Sequence, residues 1–307
     1  MTLVPPRLFD PQVNGYAGVD FQQDQLQATD LLRAAAAWRR DGGESFFLTL
    51  ITDAWPRLLG RLRHLRQVLD RTPPLREVVV GWHIEGPFLS EKPGFHGAHD
   101  PACMIDPTPG HIRDLREAAG DAPLLLTIAP ERPGSNAAIE TARSLGMSVS
   151  LGHTDATADQ IREAVAAGAT GFTHLANGCP QSLDRHDNIL WRVLETPTLH
   201  LGLIADSIHV SPALFRLIHR LVPSDRLYYT TDAMSAAGSP PGEFTIGRLH
   251  VQVGEDGIVR QPGRQNFAGS ALTPGQLFER AAVMLGDDAA PQVALVVRDG
   301  ARWLKKS

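Results

Sequence analysis

The sequence has little from which a disulfide framework or a membrane span could be built. Cys103 and Cys179 are the two cysteines in 307 residues, so no disulfide framework is implied. No apolar run approaches the roughly 18 residues of a membrane span. The opening "MTLVPPRLFD" lacks the basic-then-apolar pattern of a secretory signal. An excess of positive charge is missing too. Lys and Arg total 29 against 34 Asp and Glu, a net charge of -5, which gives no nucleic-acid footprint. The densest arginine run, "RLLGRLRHLRQVLDRTPPLR" over 57–76, has helical spacing and reads as a solvated helix face. These absences predict a cytoplasmic protein with neither nucleic-acid nor membrane partners.

What is present is a rhythm. Strand-like apolar stretches at 7–13, 44–51, 77–84, 123–129, 147–152, 170–174, 199–205 and 226–231 recur along the chain. Helix-forming stretches at 25–40, 56–71, 109–119, 134–145, 157–167 and 212–221 separate most of them. Thr157 before "ADQIREAVAAG" has the character of an N-cap, and Gly168 of the matching stop. Eight strands with mostly helical crossovers predict a parallel sheet, and eight is the number that closes a (β/α)8 barrel. An open doubly wound sheet would need a glycine-rich phosphate turn after its first strand, and "NGYAGVDF" matches that poorly. The expected fold is an α/β, TIM-like (β/α)8 barrel forming one domain over 1–307, with a β-hairpin insertion near 243–260 and a last helix near 274–285. The tail from 290 onward could add a further strand.

In such a barrel the chemistry gathers at the C-terminal ends of the strands, and this sequence puts its unusual residues there. The buried-looking run Val78, Val79, Val80 leads to His83 and Glu85, and Gly86 and Pro87 then stop the strand. An unpaired carboxylate in that place is costly, so Glu85 either caps a solvated loop or faces a cation. His153, His174, Asp206 with His209, and Asp232 end or follow later strands, and His153 and His174 lie 21 residues apart, about one strand–helix repeat. Singly, each has a plain structural explanation as a hydrogen-bonded or capping residue. Converging on one mouth, they would repel or stay unsatisfied without a cation or substrate to organise them. Two imidazoles and a carboxylate form a set that holds catalytic zinc with a position open for water, whose pKa can fall to about 7 there. No HExxH helix, GxSxG elbow or CxxC pair competes for the role. His83 should lie one layer deeper than Glu85 and support the site.

A series of ordered motifs then carries a resemblance: "DPQVNGYAGVDF", "TLIT", "HIEGPF", "GAHDP", "TIAPE", "SLGHTDAT", "FTHLANG", "GLIADSIHV", "TTDAMSAAG" and "AGSALT". From about residue 8 to about residue 274 the sequence resembles the N-acetylglucosamine-6-phosphate deacetylase family of the amidohydrolase superfamily. The resemblance implies a barrel hydrolase that releases acetate from the acetamide of an N-acetylated amino sugar. It implies Glu85, His153 and His174 as metal ligands, Asp232 as the catalytic carboxylate, and His209 as the histidine that orients the substrate and polarises its carbonyl. Asn177, Gly178, Arg185 and His99 fall at or near positions that contact the sugar phosphate, Arg185 being the phosphate partner. Where many amidohydrolases carry an HxH pair, this sequence has Gln12, Val13 and Asn14. Amides are poor zinc ligands, so one divalent ion is expected: zinc, with iron or cobalt also compatible. A homodimer is implied by resemblance alone.

The sequence also departs from the family pattern. Most of the family's small β-domain is expected to be lacking. The loop "LANGCPQSLDRHDNILWRVL" sets Asp184 and Asp187 beside Arg185, and "KPGFHGAHD" adds His96 close to His99. Three functions therefore stay open: a deacetylase of an N-acetylhexosamine 6-phosphate, a related amidohydrolase of an unphosphorylated or different N-acyl substrate, and a non-catalytic sugar-phosphate binder. Asp232 counts against the last, because a binder has no use for a general base.

Overall fold

The structure, a computed structural model, describes residues 6–263 and 267–305. Eight parallel strands succeed one another in chain order around a nearly closed barrel. They are β1 (Leu8–Val13), β2 (Gly43–Ile51), β3 (Val79–Glu85), β4 (Leu124–Ile128), β5 (Ser148–Leu151), β6 (Gly171–Phe172), β7 (His200–Ile204) and β8 (Leu227–Thr230). Between them run α1 (Ala28–Arg40), α2 (Trp55–Arg71), α3 (Pro109–Ala119), α4 (Ser135–Ser144), α5 (Ala158–Ala167), α6 (Ile189–Leu194) and α7 (Pro212–Leu221). This is the TIM-like barrel expected from the sequence. Most strands are buried along nearly their whole length, as parallel strands under a helical layer must be, and so read as near-continuous apolar runs. Helix α5 begins as anticipated: Thr157 and Gln160 form a reciprocal capping box, and Gly168, with φ 127°, ends it.

Helix α6 was not legible in the sequence. It has six residues, too few to show a period, and depends on Asn188, whose side chain accepts from the backbone N–H of Leu190 and Trp191. The expected hairpin is a three-stranded antiparallel sheet, β9 (Gly242–Ile246), β10 (Leu249–Val253) and β11 (Val259–Arg260). It buries Ile246, Val251, Val253 and Val259 against Met234 and Ala268. After it come α8 (Pro274–Leu285) and α9 (Ala290–Asp299). The tail thus adds a helix and not the strand considered from sequence; Lys306 and Ser307 lie outside the described residues. Val293, Val296 and Val297 are buried at helical spacing, and α9 packs across β1 and β8. Among the described residues no helix is long and apolar enough to cross a membrane.

Inside the barrel, beneath the strand ends, lies a polar layer with almost no exposure: Thr49, His83, Thr127, Ser150 and Thr173. The Thr127 hydroxyl sits 2.8 Å from His83 Nε2 and 2.8 Å from the Thr173 hydroxyl, which donates to Ser150 Oγ at 2.8 Å. Each group is satisfied by its neighbour, which is the condition for burying it. Burial pushes the His83 imidazole down to about 4, so it is neutral.

The barrel closes at the β1–β8 seam through a side chain as much as through backbone. Pro11 has no N–H to give a ladder, and the pairing register shifts between Asp10 and Val13. Asp10, fully buried, fills the gap. One carboxylate oxygen accepts from Gln12 N (2.9 Å) and Thr230 Oγ1 (2.6 Å); the other accepts from Thr231 N (2.8 Å) and Thr231 Oγ1 (2.6 Å). Four donors converge, two on each oxygen, so an amide NH2 in place of either would meet two donors, of which only the hydroxyl can turn to accept. Asp10→Asn is expected to destabilise the protein by about 1–3 kcal/mol, measured by denaturant unfolding at neutral pH.

Candidate active site

Glu85 is the last residue of β3 and is 3% exposed. Three imidazoles surround it. His174 Nε2 lies 2.8 Å from Oε1, His153 Nε2 lies 3.5 Å from the same oxygen, and His99 Nε2 lies 3.7 Å from Oε2. Burial alone would raise the Glu85 pKa, but the hydrogen bond and charge of His174 outweigh it and hold the carboxyl well below its usual range. For His174 burial works the other way, and the bond to Glu85 overcomes it and raises the pKa. His99 is pushed down to about 3 by burial and by the neighbouring His153, so its ring is neutral.

The proton positions make this a good cradle for a cation. His153 Nδ1 lies 2.8 Å from the carbonyl of Phe95. A carbonyl only accepts, so Nδ1 carries a proton, and Nε2, the nitrogen turned toward Glu85, is the one free to offer a lone pair. Thr52 Oγ1, which donates to the Glu85 carbonyl, lies 2.8 Å from His99 Nδ1, and that likewise leaves His99 Nε2 bare. Lone pairs facing a carboxylate repel unless a positive ion stands between them. The ligand atoms of Glu85, His99 and His153 lie within 4.8 Å of one another, so a buried group of carboxylate and imidazoles could hold a metal. His99 is thus found against Glu85 and Thr52, where the sequence suggested a place near the sugar phosphate. His174 Nε2 is engaged directly with Glu85, and its Nδ1 has no partner among the described residues.

The backbone is bent to bring these groups together. His153, His174 and Asp232 follow their strands with φ of 49°, 30° and 48°. Such left-handed conformations in non-glycine residues cost on the order of 1–3 kcal/mol each and cluster at functional sites. Two glycines press on the His153 ring: a Cβ on Gly97 would come within 2.8 Å of Cε1, and one on Gly178 within 2.7 Å of Nδ1. Only glycine fits either contact.

Asp232 follows β8 and accepts from Asn14 Nδ2 at 2.7 Å. Loss of hydration, with the Glu85 charge second, pushes it up to about 7, where a carboxyl can both take and return a proton near neutral pH. His209, after β7, packs against Phe267 and is held at Nδ1 by Asp206. Asp206 was noted in the sequence but given no role, although its place three residues before His209 in "ADSIHV" was a usable signal. Asn177 and Gly178 line the same cavity, about 740 Å3 and open to solvent, together with Asn14, His99, Asp232 and His209.

Arg185 is not brought to this cavity. It is exposed, and its guanidinium has no hydrogen bond or ion pair among the described residues. Neither acidic neighbour holds it: Asp184 accepts the backbone N–H of His186 and Asp187, and Asp187 pairs with Arg192. No described residue lining the cavity is Lys or Arg.

No family model matches the sequence. The chain is 35% identical over 258 residues to the N-acetylglucosamine-6-phosphate deacetylase of Danio rerio, across 82% of this chain and 63% of that protein. It is 30% identical over 302 residues to the N-acetylgalactosamine-6-phosphate deacetylase of Escherichia coli O157:H7, across 98% of this chain and 78% of that protein. Among solved structures, a mutant N-acetyl-D-glucosamine-6-phosphate deacetylase from Mycobacterium smegmatis, in complex with N-acetyl-D-glucosamine-6-phosphate, superposes with a TM-score of 0.88 at 33% identity, covering 98% of this chain and 77% of that one. The chain therefore spans less than two thirds of the Danio rerio relative's length.

A cation in the Glu85 cradle should stabilise the folded chain. At free Zn2+ about a hundredfold above its Kd the gain is about 2.7 kcal/mol. A scan of Tm against added metal should show that rise in the wild type and lose it in Glu85→Gln.

Proposed function

This chain belongs to the N-acetylglucosamine-6-phosphate deacetylase family of the amidohydrolase superfamily, and from that premise we propose that it hydrolyses the acetamide of an N-acetylhexosamine 6-phosphate to the free amine and acetate. The observation that carries this reading is the pairing of a buried Glu85–imidazole cluster with Asp232, a carboxyl poised near 7 on the same cavity. Glu85, His153 and His174 are assigned as the ligands of one divalent ion, zinc before iron or cobalt. When bound, that ion would polarise the acetamide carbonyl and acidify water.

The remaining steps belong to the chain's own side chains. Asp232, fixed by Asn14 Nδ2, takes a proton from the attacking water as its oxygen bonds to the acetamide carbon. His209 holds the substrate and faces the oxygen on which charge develops. Asp232 then gives its proton to the nitrogen as the C–N bond breaks, so that a neutral amine leaves instead of its anion. Asn177, Gly178 and His99 position the sugar, and Arg185 is the candidate partner of its phosphate. The protein works in the cytoplasm as a homodimer in this reading, with the amino sugar as its small-molecule partner.

One observation favours a second reading, an unphosphorylated or different N-acyl substrate. Arg185 stands outside the cavity, and no described lining residue carries a permanent positive charge. Acetate release by the metal-replete protein, measured side by side on N-acetylglucosamine 6-phosphate and N-acetylglucosamine, separates the two. A strong preference for the phosphate is expected, and equal turnover would favour the second. Asp232→Asn should lower kcat by about 10²–10⁴-fold, the usual contribution of a positioned proton carrier, with Tm close to wild type. Unchanged acetate release would remove Asp232 from the mechanism.

A further inference from the structure

Asp206 is a buried carboxylate that neither the metal cradle nor the proton transfers above make use of. Its two oxygens are divided between two tasks. Oδ1 accepts the backbone N–H of Ile208 and His209, both at 2.8 Å, and so shapes the loop that leaves β7. Oδ2 lies 2.6 Å from His209 Nδ1. The loop between them is tight: Ser207 has φ 63°, and Arg280, reaching from α8, donates to the Asp206 carbonyl at 3.2 Å. Phe267 lies against the His209 ring with centroids 4.9 Å apart. The imidazole is held at one nitrogen and against one face, and Nε2 is the nitrogen left for the cavity that His209 lines.

We propose that Asp206 is a positioning residue for the deacetylation, fixing the proton of His209 on Nδ1 and thereby setting what Nε2 presents to the substrate. The inference rests on the deacetylase reading for its kinetic consequence but not for its structural one. A carboxylate can only accept, so a proton must occupy Nδ1. With Nδ1 so occupied, a proton drawn from solvent onto Nε2 makes the ring a cation, the adjacent carboxylate balances that charge, and the new N–H points at the acetamide oxygen; without the carboxylate the ring offers only a neutral donor. The same division of labour underlies carboxylate–histidine pairs in acyl-transfer sites. Burial would raise the Asp206 pKa, but the hydrogen bond and charge of His209 lower it overall, so the acceptor is ionised.

A purely structural role, capping the turn, makes a different prediction, and Asp206→Asn separates the two. Asparagine keeps one oxygen for the two backbone N–H groups and offers an NH2 to the ring, which drives the ring proton to Nε2. The 15N–1H NMR signals of the His209 ring should report a proton on Nδ1 in the wild type and on Nε2 in the variant. With N-acetylglucosamine 6-phosphate as substrate, kcat should fall by about 10²-fold or more, with a smaller change in KM and Tm near wild type. In a His209→Ala background the same substitution should change kcat by less than about threefold, because its route of action is gone. A wild-type tautomer at Nε2, or an undiminished loss in the His209→Ala background, would overturn the proposal. If the wild type releases no acetate from any N-acetyl sugar, the functional reading fails by itself, and the ring signals still decide whether Asp206 sets the tautomer.

Discussion

Glu85 is a carboxylate almost out of contact with water, and the upper half of the barrel is arranged around the cost of putting it there. Isolated, such a charge would be many kcal/mol from stability or would simply take up a proton. Here it keeps its charge because His174 Nε2 hydrogen-bonds to it at 2.8 Å, while His153 and His99, from two other segments, converge on it and leave room for a cation. The second nitrogens of His153 and His99 are tied down by the Phe95 carbonyl and the Thr52 hydroxyl. The two glycines against the His153 ring and the left-handed turns after β5 and β6 fit that many side chains into one mouth, and burial keeps His83 neutral below them.

Much of the fold was readable in the sequence because of how a parallel barrel is buried. Strands covered on both faces leave apolar runs, and the polar residues that end them sit at the rim. That is why Glu85, His153, His174 and Asp232 stand out in the sequence. The misread segments are those where local pattern is ambiguous. "QVALVV" is apolar enough for a strand, and only the spacing of Val293, Val296 and Val297 against β1 and β8 makes it a helix. Helix α6 and strand β11 are shorter than any period that could announce them.

At the site, the sequence located residues on strands better than residues on loops. A strand end has one address in a barrel. The segments carrying His99 and Arg185 do not, because their path is decided by tertiary contacts. His99 ends up beside Glu85 because Gly94 and Gly97 let the loop turn back over the mouth, with φ of 87° and 58°. Arg185 lies on a stretch whose carboxylates are occupied elsewhere, Asp184 with backbone and Asp187 with Arg192. Asp206 stands in the sequence as a carboxylate three residues before a histidine, and the turn after β7 shows what that spacing serves.

The left-handed backbone at His153, His174 and Asp232 bears on how such a chain changes over time. Glycine would relieve the strain at each of these positions, and most other replacements would remove the functional group while leaving the strain in place. The three positions are therefore where the chain's stability and its chemistry pull in opposite directions.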